Sequence, residues 1–465
     1  MTKISERESL IAQLRVAEEL SLRKKRDSFK LFVKYIMPDY TMKDFHKYII
    51  ERLQAFEAGE IKKMMILLPV QHGKSQIASR IFPPYLLGKN PDRRIGHVTY
   101  NDTFAQKFNR QIQRYMDSEK YLRLFPETKL NGSKITGVHA ANYARNNHTF
   151  EIVDKKGSLI TVGRDGQITG LPIDILIIDD LYKNREEATS EAVSEKIWTN
   201  YNDVFLTRLH NDSQQLIMNT RWDENDLVGR ILKQEPSDWE QIIFPAIKTE
   251  DQVPYDKRET GEALWPEKHS KERIIKISKT NKTTFNSLYQ QDPQPNEEIL
   301  IYPHVVVIEE FPKVEFKYWG LDFGFTNDPT ALIKCAHDEK NSYFDECHYH
   351  PGTPMTEIAK VLLANGYQSG EPVFCDHVEA HIVELRQLGI FAVPAMKGPG
   401  SVGAGILKMK ERTIHVTRRS VNMLAERKKY QWITYGTIIT NQPKDEHNHA
   451  WDGARYGNFA QTMRG

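Results

Sequence analysis

Cysteine is scarce in this chain: there are three in 465 residues (Cys335, Cys347 and Cys375), an odd number without C-x-x-C spacing. That excludes a disulfide framework or a four-cysteine zinc site and fits thiols kept reduced in a cytosol. Also missing is any apolar run near the roughly 18 residues that would span a bilayer. The opening MTKISERESL has no apolar signal core, so a cytoplasmic location is expected. Nor is there an excess of one charge. With 64 Lys and Arg against 62 Asp and Glu the net charge is +2, so a polyanion would have to be met by a local basic patch. The sequence shows no internal repeat and no low-complexity tract. What is present is 39% hydrophobic residues in a chain too long for one core, which predicts two or three domains.

The most informative stretch is Pro69 to Ser75, PVQHGKS, between the apolar run Met64 to Leu68 and a helix-favouring segment. Strand, loop and helix in that order cradle nucleotide phosphates. Gly73 lets backbone N–H groups approach, Lys74 reaches the β and γ oxygens, and the Ser75 hydroxyl binds Mg²⁺. Gln71 and His72 complete the expected cofactor-binding loop. The full G-x-x-x-x-G-K-[ST] pattern would put a glycine where Leu68 stands, so the loop acquires meaning only with a second signal.

That signal is Ile175 to Asp180, four apolar residues delivering two acids to a strand's carboxyl end, where open α/β sheets bind ligands. Asp179 is assigned to the Mg²⁺ shell, usually through water, and Asp180 to orienting or deprotonating the attacking water. A third run, Gln215 to Met218, ends in Asn219 and Thr220, which can sense the γ-phosphate. The developing phosphoryl charge calls for a guanidinium, often donated across a subunit boundary. Arg164, in the loop Gly163 to Gly166, is the first choice, with Arg80 and Arg221 competing.

Four segments are expected: a helical arm at 1–43 carrying the basic cluster Arg23 to Arg26, a P-loop domain at 44–245 with a mostly parallel sheet, a Pro- and Lys-rich connector at 246–312, and a second α/β domain at 313–465. In the first domain Asp102 is expected to cap a helix, and Phe150 to Val153 with Leu159 to Val162 to form a hairpin. In the last domain three strands (Tyr318 to Phe323, Ala331 to Ala336, Ser342 to Tyr349) precede alternating helices and strands, the order of an RNase H-like domain.

Two-metal phosphodiester cleavage needs convergent carboxylates. Asp322 lies in YWGLDFG, where glycines leave room for a backbone to approach; Asp376 ends the fourth strand, with Glu379 just beyond; Asp452 follows His449 by three residues, on the same helical face. Asp328 and Asp445 are weaker candidates, and His449 is a ligand, a general acid or a supporting hydrogen-bond partner. Lys408, Lys410, Arg412, Arg418, Arg419, Arg427, Lys428 and Lys429, between Asp376 and Asp452, could hold a phosphate backbone without reading bases, or simply face solvent.

Together with the segments TRWDENDLVGR at 220–230, GEALWP at 261–266 and LYQQDP at 288–293, and the closing HAWDGARY at 449–456, these motifs resemble the large terminase subunits of tailed bacteriophages from about Phe45 to Tyr456. The resemblance implies an ASCE-type P-loop ATPase joined to an RNase H-like nuclease, using ATP and Mg²⁺, with Mn²⁺ possible at the nuclease. It implies a motor in the host cytoplasm that docks on the portal protein of a procapsid, drives in double-stranded DNA, and cuts the concatemer. The working form would be a homo-oligomeric, pentameric ring loaded by a small terminase subunit. Lys74, Ser75, Asp179 and Asp180 would carry hydrolysis, and Asp322, Asp376 and Asp452 the nuclease metals. Two departures stand out: Gln71 where many relatives have a basic residue, and Asp180 where many have glutamate. A helicase-nuclease of DNA repair or recombination, or a nucleotide-switched structural adaptor with an inactive nuclease, are the alternatives. If the metal reading holds, DNA cleavage requires Mg²⁺ or Mn²⁺ and shows little sequence preference; cutting that persists in excess chelator excludes it.

Overall fold

A strand covered on both faces is apolar throughout, and the runs at 64–68, 173–178 and 215–218 behave accordingly. In the computed structural model, which describes the chain except residues 1, 135–136, 140–141, 167, 169, 171, 250–252, 295–296, 315, 325–327, 436–437 and 463–465, they are central strands of the first of two units, Met1–Gln294. Among the described residues its strands are β1 (Lys63–Leu67), β2 (Arg94–Thr99), β3 (Thr149–Glu151), β4 (Ser158–Gly163), β5 (Ile173–Asp179), β6 (Leu209–Asn219) and β7 (Glu240–Ile243). They join in the order β3-β4-β2-β5-β6-β1-β7, parallel except for the antiparallel hairpin pair β3–β4. Alternation sends Met64, Ile66, Ile175, Ile177, Leu216 and Met218 into one core layer, and Met65, Leu67, Leu176, Ile178 and Ile217 into the opposite one.

Three expectations need correction here. The expected arm 1–43 is not separate from the first unit: helix Thr2–Asp27 is tied to it by Glu18 paired with Arg123, Asp27 paired with Lys89, and Arg26 donating to Leu124 O. The next helix, Phe29–Ile36, buries Phe29, Phe32 and Val33 completely among Phe82, Tyr85, Tyr121 and Phe125, so it belongs to the core. In the basic cluster, Arg23 pairs with Asp27 and Arg26 with Glu19, so both charges are answered within the same helix. Helix Asp102–Met116 is capped by Asn101, not Asp102: Asn101 is extended, and its side chain accepts from Phe104 N at 2.9 Å.

The connector 246–312 does not stand apart from the units. Ala246 N donates to Tyr289 O and Leu264 N to Ala246 O, both at 2.8 Å, and Ala246, Ala263 and Ile274 form a small core within the first unit. Past the division, Ile301 and Tyr302 are buried in the second unit, Tyr302 stacked on Trp451 at 4.3 Å. Composition reports hydrophilicity but not such long-range pairing, so a Pro- and Lys-rich stretch looks like a linker even where its backbone is fastened.

The second unit, Pro295–Gly465, contains β8 (Val306–Ile308), β9 (Tyr318–Asp322), β10 (Pro329–His337), β11 (Asn341–Pro351), β12 (Val373–Cys375), β13 (Ala392–Pro394) and β14 (Thr413–Thr417), plus the hairpin β15 (Trp432–Tyr435) and β16 (Ile438–Pro443). The sheet order is β13-β12-β9-β10-β11-β14-β8. β9, β10 and β11 meander antiparallel, while β12 and β13 add in parallel on the other side of β9. Five expected strands thus take the RNase H-like arrangement, and β14 and β8 extend it beyond β11.

The terminal helix His449–Thr462 crosses β9 so closely that a Cβ on Gly320 would lie 1.8 Å from Gly453 O. Neither partner there is a flexible side chain, so Gly320→Ala must separate helix from strand. It is expected to destabilise the second unit by ~3 kcal/mol or more, as overpacking against backbone does, read as a lower unfolding midpoint. An unchanged midpoint contradicts this close approach.

Candidate active sites

In the first unit the loop after β1 turns back on itself with Gln71 and Gly73 at φ values of 62° and 88°. A Cβ at Gly73 would meet Tyr40 Oη at 2.6 Å and His46 Nε2 at 3.0 Å, so glycine is required for space as well as conformation. Lys74 is buried, and its ammonium bonds Asp180 Oδ1 at 2.9 Å and the Thr220 hydroxyl. Thr220 N donates to the same Asp180 oxygen at 2.6 Å. Asp180 itself has φ 47°, a strained value that its backbone bond to Met218 O, 2.9 Å, helps hold. Three adjacent strand ends therefore converge on one ammonium.

Asp179, also buried, accepts from Ser75 Oγ at 3.2 Å and from Ser79 Oγ at 2.5 Å. Burial, reinforced by the neighbouring Asp180 charge, lifts its carboxyl above the usual carboxylate range, while Lys74 opposes the lift. Asn219 lies between these groups at the end of β6, and among the described residues its buried Nδ2 has no hydrogen-bond partner. A donor stranded at the phosphate end of a P-loop sheet fits a site whose ligand supplies the acceptor.

The arginine choices fare differently. Arg164 donates to Leu181 O at 2.7 Å and to Glu187 Oε2 at 2.6 Å, fastening its own loop to the segment beyond Asp180. To act on a nucleotide it would have to leave both. Arg221 is held by the fully buried Asp226 at 3.0 Å, a structural pair. Arg80 bonds Gln76 and lies over the Phe108 ring, and among the described residues its buried Nε has no partner. Of the loop residues, Gln71 has an exposed side chain, and His72 turns its own inward to Val70 O at 2.9 Å. Ser79, four residues after Ser75, was not anticipated; its signal is helical spacing alone.

In the second unit Asp322 ends β9 and Asp376 follows β12, its N–H bonding Leu321 O at 3.0 Å. Asp452 comes from the terminal helix packed across β9. Asp376 and Asp322 each raise a neighbour's carboxyl, and the Tyr456 phenol feels all three acids. The three named positions are thus brought together, but each carboxylate holds a protein cation or donor. Asp322 Oδ2 meets His449 Nδ1 at 3.1 Å, Asp376 pairs with Lys397, and Asp452 pairs with Arg455 at 3.0 Å. Among the described residues no group of three or more His, Cys, Asp or Glu is arranged as a metal cage. Each acid thus has a cationic or donating side chain beside it that offsets its charge.

The donor set itself suits a hard divalent cation: carboxylates with one imidazole beside them. Burial keeps Asp322 above the carboxylate range and pushes Asp452 up to about 6 despite Arg455, which is the imbalance that added positive charge relieves. The bond to Asp322 raises His449. Glu426 was not anticipated; it is buried, pushed up to about 7 by burial, and caps the terminal helix by accepting from Ala450 N at 2.9 Å. Arg455 and Lys397 were also missed, although Arg455 stands three residues from Asp452 on the same helix. Asp445 bonds Asn448 at 3.1 Å, and Glu379 lies exposed at the start of helix Glu379–Gln387. Of the basic cluster, Lys408 pairs with Glu411, Arg418 with Glu309 and Arg419 with Asp345, so much of it is engaged within the unit.

Residues 65–292 match the family model described as terminase large subunit, T4likevirus-type, N-terminal. Over 182 residues the chain is 28% identical to the large terminase subunit of Bacillus phage SPP1, a match that spans 37% of this chain and 42% of that protein, less than half the relative's length. Among solved structures it is similar to the nuclease domain of the bacteriophage SPP1 large terminase with bound Mn (23% identity, 36% of this chain and 99% of that one, TM-score 0.32). It is also similar to the bacteriophage HK97 large terminase (12% identity, 92% and 96%, TM-score 0.42).

Raised carboxyls bind their protons more firmly folded than unfolded, so the stability they add is present below the ordinary carboxylate range and is lost as pH rises through their folded values. With Asp452 near 6 and Glu426 near 7, the unfolding midpoint of chelated protein is expected to fall by a few degrees from pH 5 to pH 7.5, and Asp452→Asn to flatten that slope. A midpoint that rises across the interval contradicts the assignment.

Proposed function

We propose that this chain, whose residues 65–292 match the terminase large subunit, T4likevirus-type, N-terminal family model, is a large terminase subunit of a tailed bacteriophage: an ATP-driven DNA-packaging motor joined to a metal-dependent DNA endonuclease. The observation that carries the motor half is the Lys74 ammonium shared between Asp180 and Thr220, which joins three strand ends at the expected phosphate site. When ATP occupies that site, Lys74 exchanges Asp180 for phosphate oxygens. Asp180, released, is free to orient water and accept its proton. Asn219 Nδ2 would find an acceptor there, and Ser75 and Asp179 would hold the Mg²⁺ that accompanies the nucleotide. Because Asp180 also binds Thr220 N, loss of the γ-phosphate is felt at the end of β6, a route from chemistry to movement.

In the second unit Asp322, Asp376 and Asp452 would hold divalent cations, with His449 beside them. Bound there, such ions supply water activation and stabilisation of the leaving oxygen. Lys397 and Arg455 would then have to release their carboxylates, and Lys397, the more exposed of the two, could steady the scissile phosphate. Neither role needs base contacts, in keeping with cleavage of little sequence preference. Double-stranded DNA, a procapsid portal, a small terminase subunit and a five-membered ring are the partners this reading includes. An arginine acting across subunits is part of it, with Arg164 first, provided the ring frees it from Glu187.

Lys74→Ala is expected to abolish ATP hydrolysis in the full chain while DNA cleavage remains, and Asp376→Ala to do the reverse. A single substitution that removes both activities from folded protein overturns independent sites. Portal-bearing procapsids are expected to stimulate hydrolysis; strand separation without them favours a helicase instead.

A further inference from the structure

The phosphate loop is gripped from outside by a part of the chain far from it in sequence. A loop whose N–H groups converge on an anion must turn its carbonyls outward, and an outward carbonyl needs a partner. Here two successive carbonyls have one. Lys268 Nζ donates to Gln71 O at 2.6 Å, and His46 Nε2 bonds His72 O at 2.9 Å. Gln71 is the loop residue held at φ 62°, a conformation that a side-chain-bearing residue rarely adopts.

The strap that brings Lys268 to this carbonyl is itself anchored. Trp265 packs edge-on to His46 at 5.0 Å, Glu267 pairs with Lys43, and His269 stacks on His72 with ring centres 4.7 Å apart. Lys268 lies over the Trp265 ring at 4.7 Å, and among the described residues no carboxylate pairs with it. Its charge is therefore spent on the loop.

We propose that Lys268 is a positioning residue of the nucleotide site: by holding the Gln71 carbonyl outward it fixes the left-handed turn from which the following amides reach phosphate. The inference rests on the nucleotide-site reading above. Lys268 acts through the loop and is not placed in contact with the reacting atoms. It also puts positive charge at the start of a loop whose first turn offers none of its own, since Gln71 stands there.

The test is binding of ADP and of ATPγS, each with Mg²⁺, to the full chain by calorimetry. Lys268→Met is expected to weaken binding about tenfold, the size of one charge-assisted hydrogen bond. Lys268→Arg, which restores the donor, is expected to stay within about threefold of the parent on the same scale. Turnover at saturating ATP should fall far less than affinity, and the midpoint of nucleotide-free protein should not move. Lys268→Met binding as well as the parent, or Lys268→Arg binding as poorly as Lys268→Met, overturns the clamp. Lys74→Ala is the control: if it binds nucleotide normally, the nucleotide site itself is misassigned, a failure distinct from that of the clamp.

Discussion

A carboxylate taken out of water must find a cation or several donors, and both acidic centres in this chain are organised by that requirement. In the first unit one ammonium, from Lys74, answers Asp180, while Ser75 and Ser79 answer Asp179. In the second unit Lys397, Arg455 and His449 stand against Asp376, Asp452 and Asp322. In each centre the paired side chains come from different elements of the chain, so the charge balance also fixes those elements against one another.

Support for these centres comes from elements that contribute no reacting group. Helix Asp44–Glu57 sends His46 to the phosphate loop, and the strap around Trp265 holds the loop from the same side. Glu426 caps the first turn of the terminal helix, the turn that presents His449 and Asp452. Gly320 and Gly453 let that helix approach β9 backbone to backbone, which sets the depth at which Asp452 sits. Precision at both sites thus depends on residues whose chemistry is unremarkable.

Arg164 illustrates how a loop position can mislead. A glycine-flanked arginine between two strands reads as mobile and available, yet its guanidinium ties Leu181 and Glu187 together directly beyond Asp180. The pairing lowers the Glu187 carboxyl and steadies the segment after β5.

The sequence by itself determined the strands, the phosphate loop and the acids at 179, 180, 322, 376 and 452, because burial on two faces and ligands at strand ends leave local marks: continuous apolar runs, then charge. Helix spacing also made His449 and Asp452 neighbours before any fold was known. Only the tertiary structure decided which cation each acid keeps, that Asn101 and not Asp102 caps its helix, that residues 29–36 belong in the core, and that the stretch after Ala246 is a fastened part of the first unit reaching back to Gln71. Those contacts join residues up to 224 positions apart. Nothing in a local pattern records a partner that only folding brings within 3 Å.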